Sequence, residues 1–238
     1  KSKKTVAFFS LEMSKEQLAS RLLSSEALIG GTKLRTGQLT EEEWSRLIPA
    51  SDILSKTDLY LDDTPGITIP EMKSRLRRLH NLDLVVIDYL QLMSSSRKID
   101  SRVNEISEIT RNLKILAKEM NVPVITLSQL SRAAEKRDDH RPQIADLRDS
   151  GSIEQDADTV AFISRLSVVN IHEDPDTHLP TRGRGTILLA KNRQGELGHV
   201  RFMHNEGVTS FWDDTQPACV RKARAAEPKP KGKGLFEC

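Results

Sequence analysis

Cysteine, aromatic residues and long apolar runs are scarce in this sequence, and each scarcity argues against a class of protein. The two cysteines, Cys219 and Cys238, lie near the C-terminal end and form no CxxC pair, so neither a disulfide framework nor a cysteine zinc site is expected. The six histidines show no zinc-ligand spacing either. No run approaches the roughly 20 apolar residues of a membrane-spanning helix. These features predict a reduced, cytoplasmic protein.

An excess of charge of one sign is also missing. The chain has 36 Lys and Arg against 34 Asp and Glu, a net charge of +2 over 238 residues. Overall charge therefore does not argue for a nucleic-acid partner, and any such argument must rest on local clusters. One cluster is terminal: from residue 216 onward, basic residues alternate with Ala, Pro and Gly. We expect one domain over residues 1–215 and a disordered basic tail over 216–238.

Short apolar runs alternate with amphipathic segments along most of the chain. Helix starts are predicted at Ser14 and Thr40 by capping boxes and at Pro70, where a helix should run to His80; the apolar spacing of 101–120 predicts the clearest helix. This alternation predicts an α/β fold with a mainly parallel sheet covered by helices on both faces. The predicted strands are Thr5–Ser10, 59–61, 84–87, 122–127, Thr159–Ser164 and 186–190.

The C-terminal third has a different pattern. Residues 186–193, 199–203 and 210–212 are strand-like and close together, with Gly195 and Gly207 at the turns. This spacing predicts an antiparallel extension at one edge of the sheet.

Polar side chains follow four of the predicted strands: Glu12, Asp88, Gln129, and the pair Lys191 and Arg193. Ligands of open α/β sheets bind beyond the carboxyl ends of the strands. Phosphoryl transfer needs a carboxylate for Mg²⁺, a second acid or amide that orients water, and a cation. Each residue taken alone could be a turn cap, a helix start or a solvated strand end. Their joint placement favours a phosphoryl-transfer site.

Five segments of the sequence form a combined signature. They are SLEMS at 10–14, DDTPGIT at 62–68, VIDYLQL at 86–92, SQLSR at 128–132 and LRDSGSIEQDAD at 147–158. Together these segments resemble the C-terminal motor of DnaB-type replicative helicases, and they occur in the order of that family. The resemblance covers roughly residues 5–205 and is far more specific than any single match.

This resemblance implies a RecA-like, three-layer αβα motor that hydrolyses ATP with Mg²⁺ and unwinds DNA 5′ to 3′. It also implies a homo-hexamer around single-stranded DNA, with primase and a helicase loader as partners. By resemblance, Glu12 polarises the attacking water, Asp88 holds Mg²⁺ through water, and Gln129 senses the γ-phosphate. Lys191 and Arg193 would reach the nucleotide of the neighbouring subunit, and should therefore be exposed in a single chain.

The same resemblance assigns Arg148, Asp149 and Gly151 to a loop that contacts DNA phosphates. Arg supplies charge, and Gly lets backbone N–H groups approach a phosphate. In the alternative, Arg148 pairs with a nearby acid and only stabilises the loop. The segments 94–102 and 132–141 carry further basic residues that could contact DNA.

The phosphate-binding motif GxxxxGK[ST] does not occur in the 238 residues. The resemblance would place it, with its strand and helix, just before residues 3–10. We therefore expect a sheet that lacks this strand and helix, and weak ATP hydrolysis by the 238 residues alone. A truncated sequence and a natural remnant stay open as explanations. Two other functions also stay open: a RecA-like recombinase or repair ATPase, and a non-enzymatic protein that binds DNA or partners.

Overall fold

Eight strands and six helices make up the described part of the chain. The computed structural model describes residues 3–131, 137, 140–147, 151–175, 177–205 and 207–214. In chain order the elements are β1 Thr5–Ser10, α1 Lys15–Ala27, α2 Gly31–Thr36, α3 Glu41–Ser55, β2 Leu59–Asp62, α4 Ile69–Leu76, β3 Leu82–Asp88, α5 Arg102–Met120, β4 Val124–Thr126, α6 Gly151–Asp156, β5 Thr159–Ser164, β6 Arg184–Asn192, β7 Gly198–Asn205 and β8 Ser210–Asp213. The predicted tail 216–238 lies outside the described residues.

Four strands form a parallel sheet in the order β2-β1-β3-β4. Its register pairs Phe9 with Asp62 on one side and Ser10 with Asp88 on the other. Because the strands are parallel, their carboxyl ends lie along one edge of the sheet. The segments that follow β1, β3 and β4 therefore meet there.

The mixed α/β fold with parallel and antiparallel strands is confirmed, but the antiparallel part is larger than expected. Strand β5 pairs antiparallel with β6 rather than joining the parallel sheet, and β5-β6-β7-β8 form a second four-stranded sheet. The prediction of an extension at one edge of a single sheet was wrong for the described residues. A buried apolar run indicates a strand but carries no information about its direction or its partner.

The main core lies between one face of the parallel sheet and helices α4 and α5. Strand side chains on this face are at most 2% exposed. The helices contribute a stripe of apolar side chains that recur every three or four residues. The core residues are Ala7, Phe9, Val85 and Ile87 from the strands, and Met72, Leu76, Ile106, Ile109, Leu113 and Leu116 from the helices. On the opposite face Phe8 and Val86 are half-buried, and Ile125 is 50% exposed.

The capping boxes at Ser14 and Thr40 are present and start α1 and α3 as predicted. Two element ends differ from the prediction. Helix α4 ends at Leu76 instead of His80, because the chain must turn before β3 and Asn81 adopts a left-handed φ of 53°. Strand β4 is limited to three residues, because Pro123 has no N–H to donate and the Val122 amide bonds the end of α5. Among the described residues, no helix is long and apolar enough to cross a membrane.

Candidate active site at the carboxyl ends of the parallel strands

Two acidic residues meet where β1 and β3 end. Ser10 and Asp88 are register partners, and the Leu11 amide donates to the Asp88 carbonyl at 2.6 Å, which places Glu12 just beyond the end of β3. Ser10 Oγ donates to the Met13 carbonyl at 2.7 Å and closes the turn that carries Glu12. The sequence-based placement of these two acids at neighbouring strand ends is what the structure shows.

The environment of Asp88 disfavours its negative charge. Burial raises the pKa of the Asp88 carboxyl, the Glu12 carboxylate raises it further, and the Arg21 guanidinium partly opposes the shift. A divalent cation between the two acids would relieve this repulsion, because carboxylate oxygens are preferred ligands of Mg²⁺. Within the described residues, no three His, Cys, Asp or Glu side chains converge on a metal site. Glu12 and Asp88 are the two carboxylates that could hold such an ion at this edge.

Gln129 follows β4 and completes the row of polar residues at this edge. Its side chain is exposed, and its backbone is held by Gln91. Gln91 Oε1 accepts from the Gln129 amide at 3.2 Å, while Gln91 Nε2 donates to Ser128 Oγ at 3.0 Å and to the Gln129 carbonyl at 3.3 Å. The sequence argument assigned no role to Gln91. Its contacts span 37 and 38 residues of sequence, which no local pattern reveals.

The loop after β2 is fixed by a further set of polar contacts. Arg75 forms an ion pair with Asp62 and donates to Thr64 Oγ1 at 2.7 Å. Asp63 accepts from the backbone amide of Lys15 at 3.1 Å, and so ties this loop to the first turn of α1. The segment 62–68 therefore supports the helix that follows Glu12.

Lys191 lies near the end of β6, and Arg193 directly follows this strand. Lys191 donates to the Glu154 carbonyl, and Arg193 bonds the Gln155 carbonyl and Asp158. Arg193 is exposed as predicted, with 47% of its side-chain surface accessible. Lys191 is only half-exposed, so the expectation of an exposed lysine was wrong. The reason is its contact with the end of α6.

The predicted DNA loop is only partly described. Arg148 and Asp149 lie outside the described residues, whereas Gly151 is the exposed first residue of α6. A Cβ added at Gly151 would meet no atom within 4 Å. In the alternative interpretation Arg148 pairs with Asp146, Asp149 or Asp156. Of these acids, Asp146 pairs with Arg137 and Asp156 accepts from Thr110, whereas Asp149 lies outside the described residues.

Two curated proteins are similar to this chain in sequence. The replicative DNA helicase DnaB of Rickettsia typhi is 46% identical over 222 residues, which cover 87% of this chain and 45% of that protein. The replicative DNA helicase DnaC of Bacillus subtilis is 48% identical over 215 residues, which cover 89% of this chain and 46% of that protein. The chain thus spans about half the length of these curated relatives.

Two solved structures are similar in fold, each with a TM-score of 0.81 and 33% sequence identity. One is described as an ATPase domain, with 88% of this chain and 74% of that chain covered. The other is a DnaB-like replicative helicase, described together with its interactions with primase. The similarity covers 87% of this chain and 51% of that chain. The sequence model of the DnaB-like helicase C-terminal domain matches residues 1–213. This chain belongs to the family of DnaB-like helicase C-terminal domains.

Proposed function

We propose that the chain is the ATP-hydrolysing motor of a ring-shaped replicative DNA helicase that moves 5′ to 3′ on single-stranded DNA. The observation that carries this proposal is the row formed by Glu12, Asp88 and Gln129 at the ends of three adjacent parallel strands. The relatives described above are replicative helicases, which favours this function over a recombinase or a repair ATPase.

Each residue of the row suits one task in phosphoryl transfer. ATP would supply the phosphoryl group, and Mg²⁺ would neutralise the negative charge of the phosphates. Asp88 would hold water ligands of the metal, and Glu12, which is exposed and close to Asp88, would polarise the attacking water. Gln129 would contact the terminal phosphate from a loop that Gln91 keeps in place. Lys191 and Arg193 would act on the nucleotide of an adjacent subunit, so that hydrolysis depends on ring assembly.

The 238 residues hold the metal and water end of such a site but contain no phosphate-binding loop. Among the described residues, β4 is an edge strand of the parallel sheet, and Ile125 and Leu127 are 50% and 42% exposed on one of its faces. A further parallel strand carrying the missing loop would fit along this edge, and the helix that follows the loop would cover these side chains. The phosphate donors would then lie beside Gln129.

The proposed partners follow from the same function. We infer a homo-hexamer that encircles single-stranded DNA, with Arg148, Asp149 and Gly151 as the DNA contacts. Primase and a helicase loader are inferred as partners of the whole protein, since one solved relative is described with its interactions with primase.

Unwinding of a forked duplex by the complete protein tests the proposal, with Glu12→Gln as the diagnostic variant. The unsubstituted protein should unwind only with ATP and only when a 5′ single-stranded arm is present. Glu12→Gln should bind ATP but lose about 10²- to 10⁴-fold in hydrolysis, the usual contribution of a residue in acid–base catalysis. Glu16→Gln, an exposed position on α1, is the matched control and should keep normal activity. Normal turnover of Glu12→Gln would reject the assignment.

A further inference from the structure

The C-terminal end of helix α6 is tied to two other parts of the fold. From α5, Thr110 Oγ1 donates to Asp156 Oδ2 at 2.6 Å, and Lys114 forms an ion pair with Asp158. From the end of β6, Lys191 donates to the last turn of α6, at the carbonyl of residue 154. The end of this short helix is therefore a meeting point of α5, α6 and β6.

Arg193 makes three contacts at the same place. Its backbone amide donates to the Asp158 carbonyl at 2.9 Å, its Nη1 lies 3.3 Å from Asp158 Oδ1, and its Nη2 donates to the carbonyl of Gln155. Carbonyls in the last turn of a helix lack donors within the helix and carry the negative end of its dipole. They are therefore favourable partners for the two cations.

The other end of α6 leads directly into the predicted DNA loop. Gly151 begins the helix and is open to its surroundings, and Arg148 precedes it by three residues. Polar contacts thus hold the helix at the end that touches Lys191 and Arg193, while its opposite end joins the segment assigned to DNA.

We propose that the C-terminal end of α6, together with Asp158, is a resting site for Lys191 and Arg193, and that Asp158 is a positioning residue which couples nucleotide in the neighbouring subunit to the DNA loop. This inference rests on the proposed function. Arg193 uses its Nη1 and Nη2 groups in its contacts with Asp158 and Gln155, so binding a phosphate of another subunit through the same groups requires it to leave the resting position. The exposed guanidinium is free to leave the resting position.

The competition has a defined direction. DNA that binds the loop next to Gly151 weakens the contacts of α6 with Lys191 and Arg193. The two cations are then available to the adjacent nucleotide. DNA therefore strengthens nucleotide binding. By linkage, nucleotide strengthens DNA binding by the same factor. Loss of Asp158 weakens the resting site and makes the cations available without DNA.

The test is steady-state ATPase of the complete ring, with and without single-stranded oligonucleotide, for Asp158→Asn. In the unsubstituted ring, DNA should lower the KM for ATP at least about fivefold, the lower end of typical allosteric coupling. In Asp158→Asn, the KM without DNA should fall towards the value with DNA, and kcat with DNA should be kept. Asp158→Glu, which retains the carboxylate, should restore the KM ratio.

Lys114→Gln is the matched control, because it removes the other ion pair of Asp158 and leaves Arg193 untouched. It should keep the unsubstituted KM ratio. An unchanged ratio in Asp158→Asn, or an equal change in Lys114→Gln, would overturn the coupling. An unsubstituted ring that neither hydrolyses ATP nor binds DNA would instead reject the proposed function.

A second measurement needs no substitution and stays informative if Asp158→Asn fails to fold. Amide hydrogen exchange of residues 152–157 is compared in the complete ring with and without a non-hydrolysable ATP analogue. Nucleotide should draw the cations away and speed exchange in α6. Exchange in α6 that the analogue leaves unchanged would contradict the resting site.

Discussion

Asp146 provides a measurable test of how the segment before the DNA loop is held. Its side chain is 2% exposed, and both carboxylate oxygens are used. Oδ1 accepts from Arg137 Nη1 at 2.7 Å. Oδ2 accepts from Arg137 Nη2 and, at 2.7 Å, from the backbone N–H of Gln143. The Arg137 hydrogen bonds hold the pKa of the Asp146 carboxyl below its ordinary value, against the opposing effect of burial, and the Gln143 amide adds to the lowering.

Substitution Asp146→Ala should be strongly destabilising at neutral pH. Removing one partner of a buried pair costs about 3–5 kcal/mol, because the other charge loses its compensation. Arg137 is 30% exposed and can partly rehydrate, so we expect a value near the lower end, about 3 kcal/mol. Urea denaturation at pH 7 measures the loss. Asp52→Ala removes the exposed pair with Lys56 and should cost less than about 0.5 kcal/mol.

The pH dependence has a definite sign. A carboxyl whose folded-state pKa is lowered stabilises the fold above its unfolded-state pKa, and this stabilisation is lost as pH falls through the folded-state pKa. The difference in unfolding free energy between the unsubstituted protein and Asp146→Ala should therefore shrink in acid. A loss at pH 7 no larger than that of Asp52→Ala, or a difference that grows in acid, would refute the reasoning.

Four further substitutions have expected outcomes. Asp88→Asn should abolish ATP hydrolysis by the complete protein and leave its unfolding free energy equal or slightly higher at pH 7, because the raised pKa of Asp88 shows that its charge is unfavourable in the fold. Gly185→Ala should cost about 1–3 kcal/mol in urea denaturation, since a Cβ would lie 2.4 Å from Phe202 Cζ, whereas Gly198→Ala meets nothing within 4 Å and should cost little. Arg148→Ala should weaken single-stranded DNA binding for all sequences. It should also reduce by about one unit the slope of the logarithm of the DNA-binding constant against the logarithm of the salt concentration. An unchanged slope would support a structural role for Arg148.

Local patterns in the sequence were sufficient for the parts of the fold that depend on neighbouring residues. The capping boxes at Ser14 and Thr40 act within one helical turn, and the apolar spacing of α5 reports one buried face. The placement of Glu12 and Asp88 also followed, because parallel strands bring their carboxyl ends to one edge.

The parts that were missed depend on contacts between distant segments. Gln91 holds the loop of Gln129, and Asp158 holds Arg193, over separations of 35 to 38 residues. Such partners are brought together by the packing of whole elements in three dimensions. Polar residues in loops have no periodic pattern from which this packing could be predicted. The direction of β5 was missed for the same reason, since strand pairing is set by tertiary structure.

The central claim is that a ring motor assembles each catalytic site from Glu12 of one subunit and Arg193 of the next. Mixed rings of Glu12→Gln and Arg193→Ala subunits test it most directly, with DNA-stimulated ATPase as the readout. Rings of either variant alone should be inactive. In an equal mixture, about a quarter of the interfaces of a cyclic ring regain both residues, and activity should return to a similar fraction. Mixed rings as inactive as the two parent rings would contradict the claim.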